Sequence, residues 1–288
     1  AELKGTINLA NVTKAYPVKL DKPLTGMLKA DVKTEFDMQS VEKSDYARIN
    51  NSGDIDLSGF KYTDENGKAM TITKAVVEFN PSRVNLRQFD AVTGKSDLSV
   101  TGVLENFYGF VFKNQELKGD FNLNSKQLAV NDFMTTADPK ANEKKESEAM
   151  KIPAFLNCTL TAKANTVLYD NLTLKDVAGK LIVKDQKVTL ENGKTNMFNG
   201  LITFNGDVST KEKTPKFNMS IGLNNVDIQQ TFTQLDMMKN IAPIAGIING
   251  KLNSTIKVNG NLDAKEMTPD LKSLTGDVLG QLLSTTVN

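Results

Sequence analysis

Histidine is absent from all 288 residues of the chain. Its absence excludes Ser-His and Cys-His nucleophile pairs and removes the most common protein ligand for transition metals. Tryptophan is also absent, and the single cysteine, Cys158, leaves no partner for an internal disulfide. Because Cys158 occupies an alternating apolar position, we expect a buried structural thiol rather than a nucleophile. The sequence therefore predicts a protein without catalytic residues, cofactor or metal site.

Neither sign of charge is in excess, since Lys and Arg number 35 and Asp and Glu number 34. The net charge of +1 provides no basic surface of the kind that nucleic-acid binding requires. Apolar residues form only 39% of the chain, below the about 45–50% of an ordinary globular domain. This composition favours a thin architecture, such as a long sheet with one face in water.

Long apolar runs are missing as well. The longest, residues 241–248, contains Pro243 and Gly246 and is far shorter than the about 20 residues of a membrane-spanning helix. The chain begins at Ala1 rather than Met. We therefore expect that residues preceding Ala1 have been removed and that any membrane anchor lies outside this sequence.

A period of two residues dominates what is present. Over 26–39, apolar residues from Leu28 to Met38 alternate with charged ones, which predicts a strand of roughly 40 Å with one apolar face. The same alternation recurs over 152–168 and 217–223. We predict an all-β fold with a few short helices, in which long antiparallel meander sheets curl into a groove or half-barrel capped by helices.

A glycine followed by two alternating apolar residues recurs along the chain. Such a glycine is expected to provide the bend or bulge that admits the chain to a strand. The recurring positions are Gly5, Gly26, Gly53, Gly119, Gly179 and Gly250.

Helical signals are few. Residues 40–49 are consistent with a short helix between two strands. Asp227 has the character of an N-cap for a helix near 227–248 that carries Phe232 and Leu235. Thr268 and Pro269 predict the start of a closing helix near 268–283, with Leu274 and Val278 on its apolar face.

A charged segment divides the chain. Residues 135–151 contain Pro139 and a dense mixture of Lys and Glu, which predicts a flexible linker because little apolar surface is present to order it. The predicted division is a first β-rich half over 1–134, the linker, and a second β-rich half over 152–288 that includes both helices.

Two carboxylate pairs could in principle act as an acid and a base, as in glycosidases. Glu35 and Asp37 share one predicted strand face, and Asp54 and Asp56 share another. Because lysines alternate with them, we favour a solvated charged face over a catalytic pair.

Several segments resemble the AsmA-like family of Gram-negative bacteria. They are LSVTG at 98–102, LKGDF at 117–121, LAVNDFM at 128–134, LYDNLTL at 168–174, NGLITFNG at 199–206 and NVDI at 225–228. The resemblance covers most of the chain and consists of strand patterns. It implies an inner-membrane-anchored protein that projects into the periplasm, whose sheet curls into a groove. It further implies a link to outer-membrane biogenesis and lipid transport, without catalytic residues.

From the apolar faces and this resemblance we predict lipid binding in an apolar groove. Its expected lining is Leu28, Val32, Phe36, Met38, Leu156, Leu160 and Leu168. Phe232, Leu235, Leu274 and Val278 are expected to form core that plugs one end. The expected partners are phospholipid acyl chains, with envelope proteins as further candidates. The alternative function is a scaffold or chaperone for outer-membrane protein assembly that acts through exposed strand edges.

Overall fold

The computed structural model describes residues 1–15, 24–42, 48–63, 67–133, 150–234 and 248–287. Most of the described residues lie in strands, and the fourteen strands form one open sheet whose order follows the sequence from β1 to β14. Neighbouring strands are antiparallel wherever their register is described, from β1 to β7 and from β9 to β14. The predicted all-β meander is therefore confirmed.

The first seven strands are β1 Glu2–Asn8, β2 Met27–Glu35, β3 Asn50–Thr63, β4 Ala69–Phe79, β5 Arg83–Thr93, β6 Ser96–Glu105 and β7 Leu117–Ala129. The second seven are β8 Leu156–Tyr169, β9 Leu172–Lys184, β10 Lys187–Met197, β11 Gly200–Ser209, β12 Lys216–Asp227, β13 Ile248–Asn261 and β14 Thr275–Val287. Within the described ranges, four short helices join some of the strands: α1 Leu9–Ala15, α2 Met38–Glu42, α3 Phe107–Lys113 and α4 Ile228–Gln234. Among the same residues, 3-10 turns cover Val130–Asp132 and Leu271–Ser273.

Backbone contacts divide the chain into two compact units. Unit 1 consists of Ala1–Leu128 and Phe155–Leu160. Unit 2 consists of Ala129–Ala154 and Thr161–Asn288. The predicted linker falls almost entirely on residues 134–149, which lie outside the described residues.

The strand predicted over 26–39 is shorter than expected, because β2 ends at Glu35 and α2 begins at Met38. The strand ends there because its backbone hydrogen-bond ladders with β1 and β3 end at the same point. On the β3 side the register ends with Glu35 opposite Asn50, and on the β1 side Ala1 already bonds to Thr34. Beyond these pairs no described backbone continues the ladder, so Phe36 and Met38 do not extend the apolar face of β2.

The helix predicted near 268–283 is wrong. Its main part is the strand β14, which pairs with β13 along its length. Gly276 and Gly280 weaken a helix by about 1 kcal/mol each, while β13 offers a free row of backbone groups. Val278 is therefore a strongly exposed strand residue and Leu274 is also exposed, so neither is core.

The other helical predictions hold in part. Asp227 caps α4 as expected, because its Oδ1 accepts the backbone N–H of Gln230 at 2.9 Å. Phe232 is half-buried on α4. Leu235 and the remainder of the predicted helix up to residue 247 lie outside the described residues. The start of the helix predicted over 40–49 corresponds to α2, and residues 43–47 lie outside the described residues.

Candidate functional site

An apolar face runs across β10 to β13 of unit 2. Residues opposite one another in an antiparallel register point to the same face. The register places Phe204 opposite Ile221, and Ile221 opposite Ile256. It likewise places Met219 opposite Val258. Alternate apolar residues thus align from strand to strand into one continuous surface.

This apolar face forms the floor of a cavity of about 600 Å³, a volume within the range of small-molecule sites. The floor is supplied mainly by Val188, Leu190, Ile202, Phe204, Val208, Met219, Ile221, Leu223 and Ile256. Nearly all of these side chains are half-buried, and Met219 is exposed. The floor is therefore an accessible apolar surface rather than the interior of a packed core.

One end of the cavity is closed by α4 and the β10–β11 turn. Phe198, Ile228 and Thr231 are buried there, and Val226 has no exposed surface. The backbone N–H of Asp227 donates to the Phe198 carbonyl at 2.7 Å, and the Thr231 hydroxyl donates to the Asp227 carbonyl at 2.6 Å. These bonds fix α4 against the strand ends.

The other end is closed by the β11–β12 turn and the segment after β13. Phe217, Leu262 and Thr210 are buried, and the backbone N–H of Leu262 donates to the Pro215 carbonyl at 2.8 Å. From Phe217 to Val226, β12 runs about 30 Å. The cavity therefore lies between two packed ends, with an open apolar floor along the strands.

Unit 1 carries a comparable apolar face. Leu28 lies opposite Leu57 and Val32 opposite Gly53, and the face continues through Val77 and Leu86. Among the described residues of unit 1, Ala91 is the only buried apolar side chain. The apolar face of this unit is thus also half-exposed.

Six of the seven predicted lining residues belong to unit 1 and one belongs to unit 2. Leu28 and Val32 share the apolar face of β2, as expected. Leu156 and Leu160 are half-buried on the unit 1 part of β8, whereas Leu168 belongs to unit 2. Phe36 and Met38 are exposed beyond the end of β2.

The cavity of unit 2 was missed as a site. The alternation of Phe217, Met219, Ile221 and Leu223 indicated the strand, but not that its face is left open. The sequence carries no signal for that openness, since it depends on which elements pack over the strand.

The opposite face of the unit 1 sheet is charged. Cross-strand ion pairs join Lys4 to Asp31 at 2.5 Å, Lys74 to Asp56 at 2.6 Å, and Arg87 to Glu78. Hydrogen bonding and the nearby positive charge of Arg87 lower the pKa of Glu78. The two faces of this sheet therefore differ sharply in chemistry.

The carboxylates considered as acid–base pairs belong to this charged surface. Asp56 is held by Lys74, and Glu35 pairs with Lys33 at 2.8 Å. The hydrogen bond and charge of Lys33 lower the pKa of Glu35, which is opposite to the change that a general acid requires.

Cys158 is half-buried, and its Sγ lies 3.8 Å from the Leu117 carbonyl oxygen as a weak donor. Burial raises the pKa of this thiol, so less of it is present as the reactive thiolate. In the part of the chain that the structure describes, no group of three or more Cys, Asp or Glu residues is placed to hold a metal ion.

Within the described ranges, no helix has the length and apolarity needed to cross a bilayer. Comparisons of the chain with protein-family models, curated proteins and solved structures find no match.

Proposed function

We propose that this chain is a non-enzymatic, lipid-handling segment of an AsmA-like envelope protein. In this proposal the apolar cavity of unit 2 takes an acyl chain. The observation that supports it is the open floor of half-buried Val, Leu, Ile, Phe and Met side chains between two packed ends. A soluble monomer rarely leaves such a surface uncovered without an interaction to cover it.

The dimensions support an acyl chain as the ligand. A bilayer's hydrocarbon core is about 30 Å thick, so one acyl chain spans about 15 Å. The accessible floor along β12, from Met219 to Leu223, is about 14 Å long, which matches the span of one acyl chain. Few polar groups face the cavity, so the ligand part that it binds should be apolar.

The proposal also concerns location. The segment acts in the periplasm in outer-membrane biogenesis, attached to the inner membrane by residues outside this chain. This part rests on the sequence resemblance alone. Fractionation of cells that express the full-length protein tests it, since recovery in the cytosol would contradict it.

A matched pair of variants tests acyl-chain binding. Met219→Asp places a charge on the cavity floor, whereas Leu279→Asp places the same charge on an exposed residue of the opposite sheet face. Burying an unpaired carboxylate against an acyl chain costs several kcal/mol. We expect Met219→Asp to lose at least 100-fold in affinity in a fluorescent fatty-acid displacement assay, and Leu279→Asp to bind normally.

The length of the fatty acid's acyl chain provides a second test of acyl-chain binding. Each buried methylene contributes about 0.8 kcal/mol, so affinity should rise about fourfold per added methylene from C10 to C16. Thermal melts of both variants check that each is folded. Equal loss in the two variants, or affinity independent of chain length, would contradict the proposal.

The exposed edge of β14 favours the alternative, strand addition by a partner. Val278 and Leu279 are 74% and 76% exposed on opposite faces, and Asp277 is the only charged residue of the strand. Exposed edges usually carry charges or Pro that prevent pairing. A peptide with alternating apolar residues should bind this edge, and Leu279→Lys should weaken that binding while leaving fatty-acid affinity unchanged.

A further inference from the structure

The helix α3 has an unusual composition for a seven-residue helix. Its sequence is FYGFVFK, in which Gly109 and Lys113 are the only residues that are neither aromatic nor aliphatic. Asn106 and Asn114 flank it with left-handed backbone angles of φ 60° and 52°, a conformation that Asn tolerates and that ends helices. A helix that is apolar all round can bury only one side against the sheet.

The buried side of α3 is held by specific contacts. Asn106 donates its backbone N–H to the Ser82 carbonyl at 3.1 Å, and the Tyr108 hydroxyl accepts from Asn51 Nδ2 at 2.9 Å. The rings of Phe110 and Phe155 lie 4.9 Å apart. Ser82 precedes β5, Asn51 lies at the start of β3 and Phe155 precedes β8. These contacts fix α3 at one end of the unit 1 sheet.

Several apolar side chains at this end are partly exposed to solvent. The register that ends with Glu35 opposite Asn50 brings Phe36 and Met38 to the same end. We call the exposed set the aromatic tip. It consists of Phe36, Met38, Phe107, Val111, Phe112 and Phe155, with exposed fractions between 38% and 64%.

We propose that the aromatic tip inserts into the interfacial layer of a lipid bilayer. This insertion rests on the proposed function: docking at the bilayer would bring the apolar face of unit 1 to a source of lipid. Aromatic side chains such as those of the tip favour the boundary between lipid headgroups and acyl chains. Lys113 is exposed in the last turn of α3, next to Phe112, where its ammonium group can contact a lipid phosphate.

A fluid surface fits this tip better than a protein groove does. A groove accepts a single apolar stripe of a helix, whereas here the exposed residues come from α3 and from two separate segments at Phe36 and Phe155. The helix is about 10 Å long, so its insertion would be shallow and confined to the interface.

The lack of tryptophan in the chain allows a direct test. Phe112→Trp introduces a single indole at the tip, and Tyr62→Trp introduces one at an exposed position at the other end of β3. On addition of vesicles of phosphatidylcholine and phosphatidylglycerol, the tip indole should shift to shorter emission wavelengths. The control indole should not shift, and a shift in neither or in both would overturn the proposal.

Vesicle flotation of the full chain measures how much the aromatic tip contributes to vesicle binding. Combining Phe107→Ser, Val111→Ser and Phe112→Ser should lower vesicle binding at least tenfold, because three apolar side chains no longer insert. The control combines Tyr62→Ser with Val92→Ser, which are exposed elsewhere in unit 1, and should float as the unchanged chain does. Failure of the unchanged chain to float, or equal flotation of the tip variant, would overturn the proposal.

Two further measurements separate the possible outcomes. If the tip instead joins two copies of the chain, light scattering will show a dimer that the tip variant abolishes, and vesicle binding will be absent. The tip variant should retain fatty-acid affinity, and Met219→Asp should retain vesicle binding. Vesicle binding without fatty-acid binding would contradict the proposed function while leaving the tip proposal standing.

Discussion

Asp97 offers the sharpest test of how unit 1 is held together. The β6–β7 register stops at Ser99 opposite Asn124. Just beyond it, Asp97 Oδ1 accepts the backbone N–H of Gln127 at 2.8 Å and that of Lys126 at 3.0 Å. The carboxylate thus takes the place of a strand neighbour for the last part of β7.

Replacing this carboxylate should have a measurable cost. Asp97→Ala leaves two backbone N–H groups without their acceptor, and hydrogen bonds to a charged group contribute about 1.5–3 kcal/mol. We expect a loss of about 2–3 kcal/mol in the free energy of unfolding, measured by urea denaturation. Asp97→Asn keeps one acceptor oxygen and should lose about 1 kcal/mol.

The loss should also depend on pH. Burial raises the pKa of Asp97, but the N–H groups of Gln127 and Lys126 lower it more, so its folded pKa lies below the usual value. A lowered folded pKa means that the stabilisation is complete above the unfolded pKa of about 3.9 and disappears as pH falls through the folded pKa. The difference between the unchanged chain and Asp97→Asn should therefore shrink below about pH 4. This reasoning would be refuted if the difference in free energy of unfolding between the unchanged chain and Asp97→Asn stayed constant from about pH 6 to about pH 3. It would also be refuted if Asp97→Ala left the free energy of unfolding unaltered.

Three other changes give clear expectations. Val226→Ala, at a fully buried position, should lower stability by about 2 kcal/mol, whereas Leu279→Ala on the exposed edge should stay within about 0.5 kcal/mol in the same urea titration. Gly26→Ala should destabilise by at least about 1–2 kcal/mol, because Gly26 has φ 111° and an added Cβ would lie 2.8 Å from a β3 carbonyl oxygen. Gly5→Ala, whose Cβ would meet nothing within 4 Å, should be tolerated, and thermal melts of the pair decide the point. The raised pKa of Cys158 should make its reaction with a thiol reagent at pH 8 slower than that of free cysteine, and unfolding in urea should remove the difference.

The alternation of side chains was enough to predict the sheet. Period-two patterns at Leu28–Val32 and Phe217–Leu223 correspond to β2 and β12, because a strand with one apolar face imposes that period wherever it forms. Asp227 was equally readable, since a capping carboxylate acts within three residues of its own position.

Features that depend on distant neighbours were not predictable. β2 stops at Glu35 because its partners stop, although the alternation itself continues to Met38. The apolar residues from Leu271 to Leu282 fit helical spacing, yet β13 recruits most of them into β14. In both places a nonlocal ladder decides between structures that the local pattern allows.

The helix α3 shows the same limit for a candidate site. This helix was not predicted from the sequence, although its aromatic run between Asn106 and Asn114 breaks the period of two. The exposure of Phe107 and Phe112 was not readable, because it results from how Tyr108 and Phe110 are anchored to neighbouring strands.

A meander in which each strand pairs with its sequence neighbours is stabilised mainly by contacts between adjacent strands. Such a sheet does not require a second layer over its middle in order to fold, provided that its ends are packed. In unit 2 Val226 and Phe217 are buried at those ends, while the apolar floor side chains between them stay accessible. Covering that floor with the chain's own side chains would add apolar burial and stability, but it would fill the space that an acyl chain needs. A sheet that is packed at its ends and uncovered in its middle therefore accounts for the low apolar content of the sequence. It also means that a ligand bound to the floor would stabilise the folded protein.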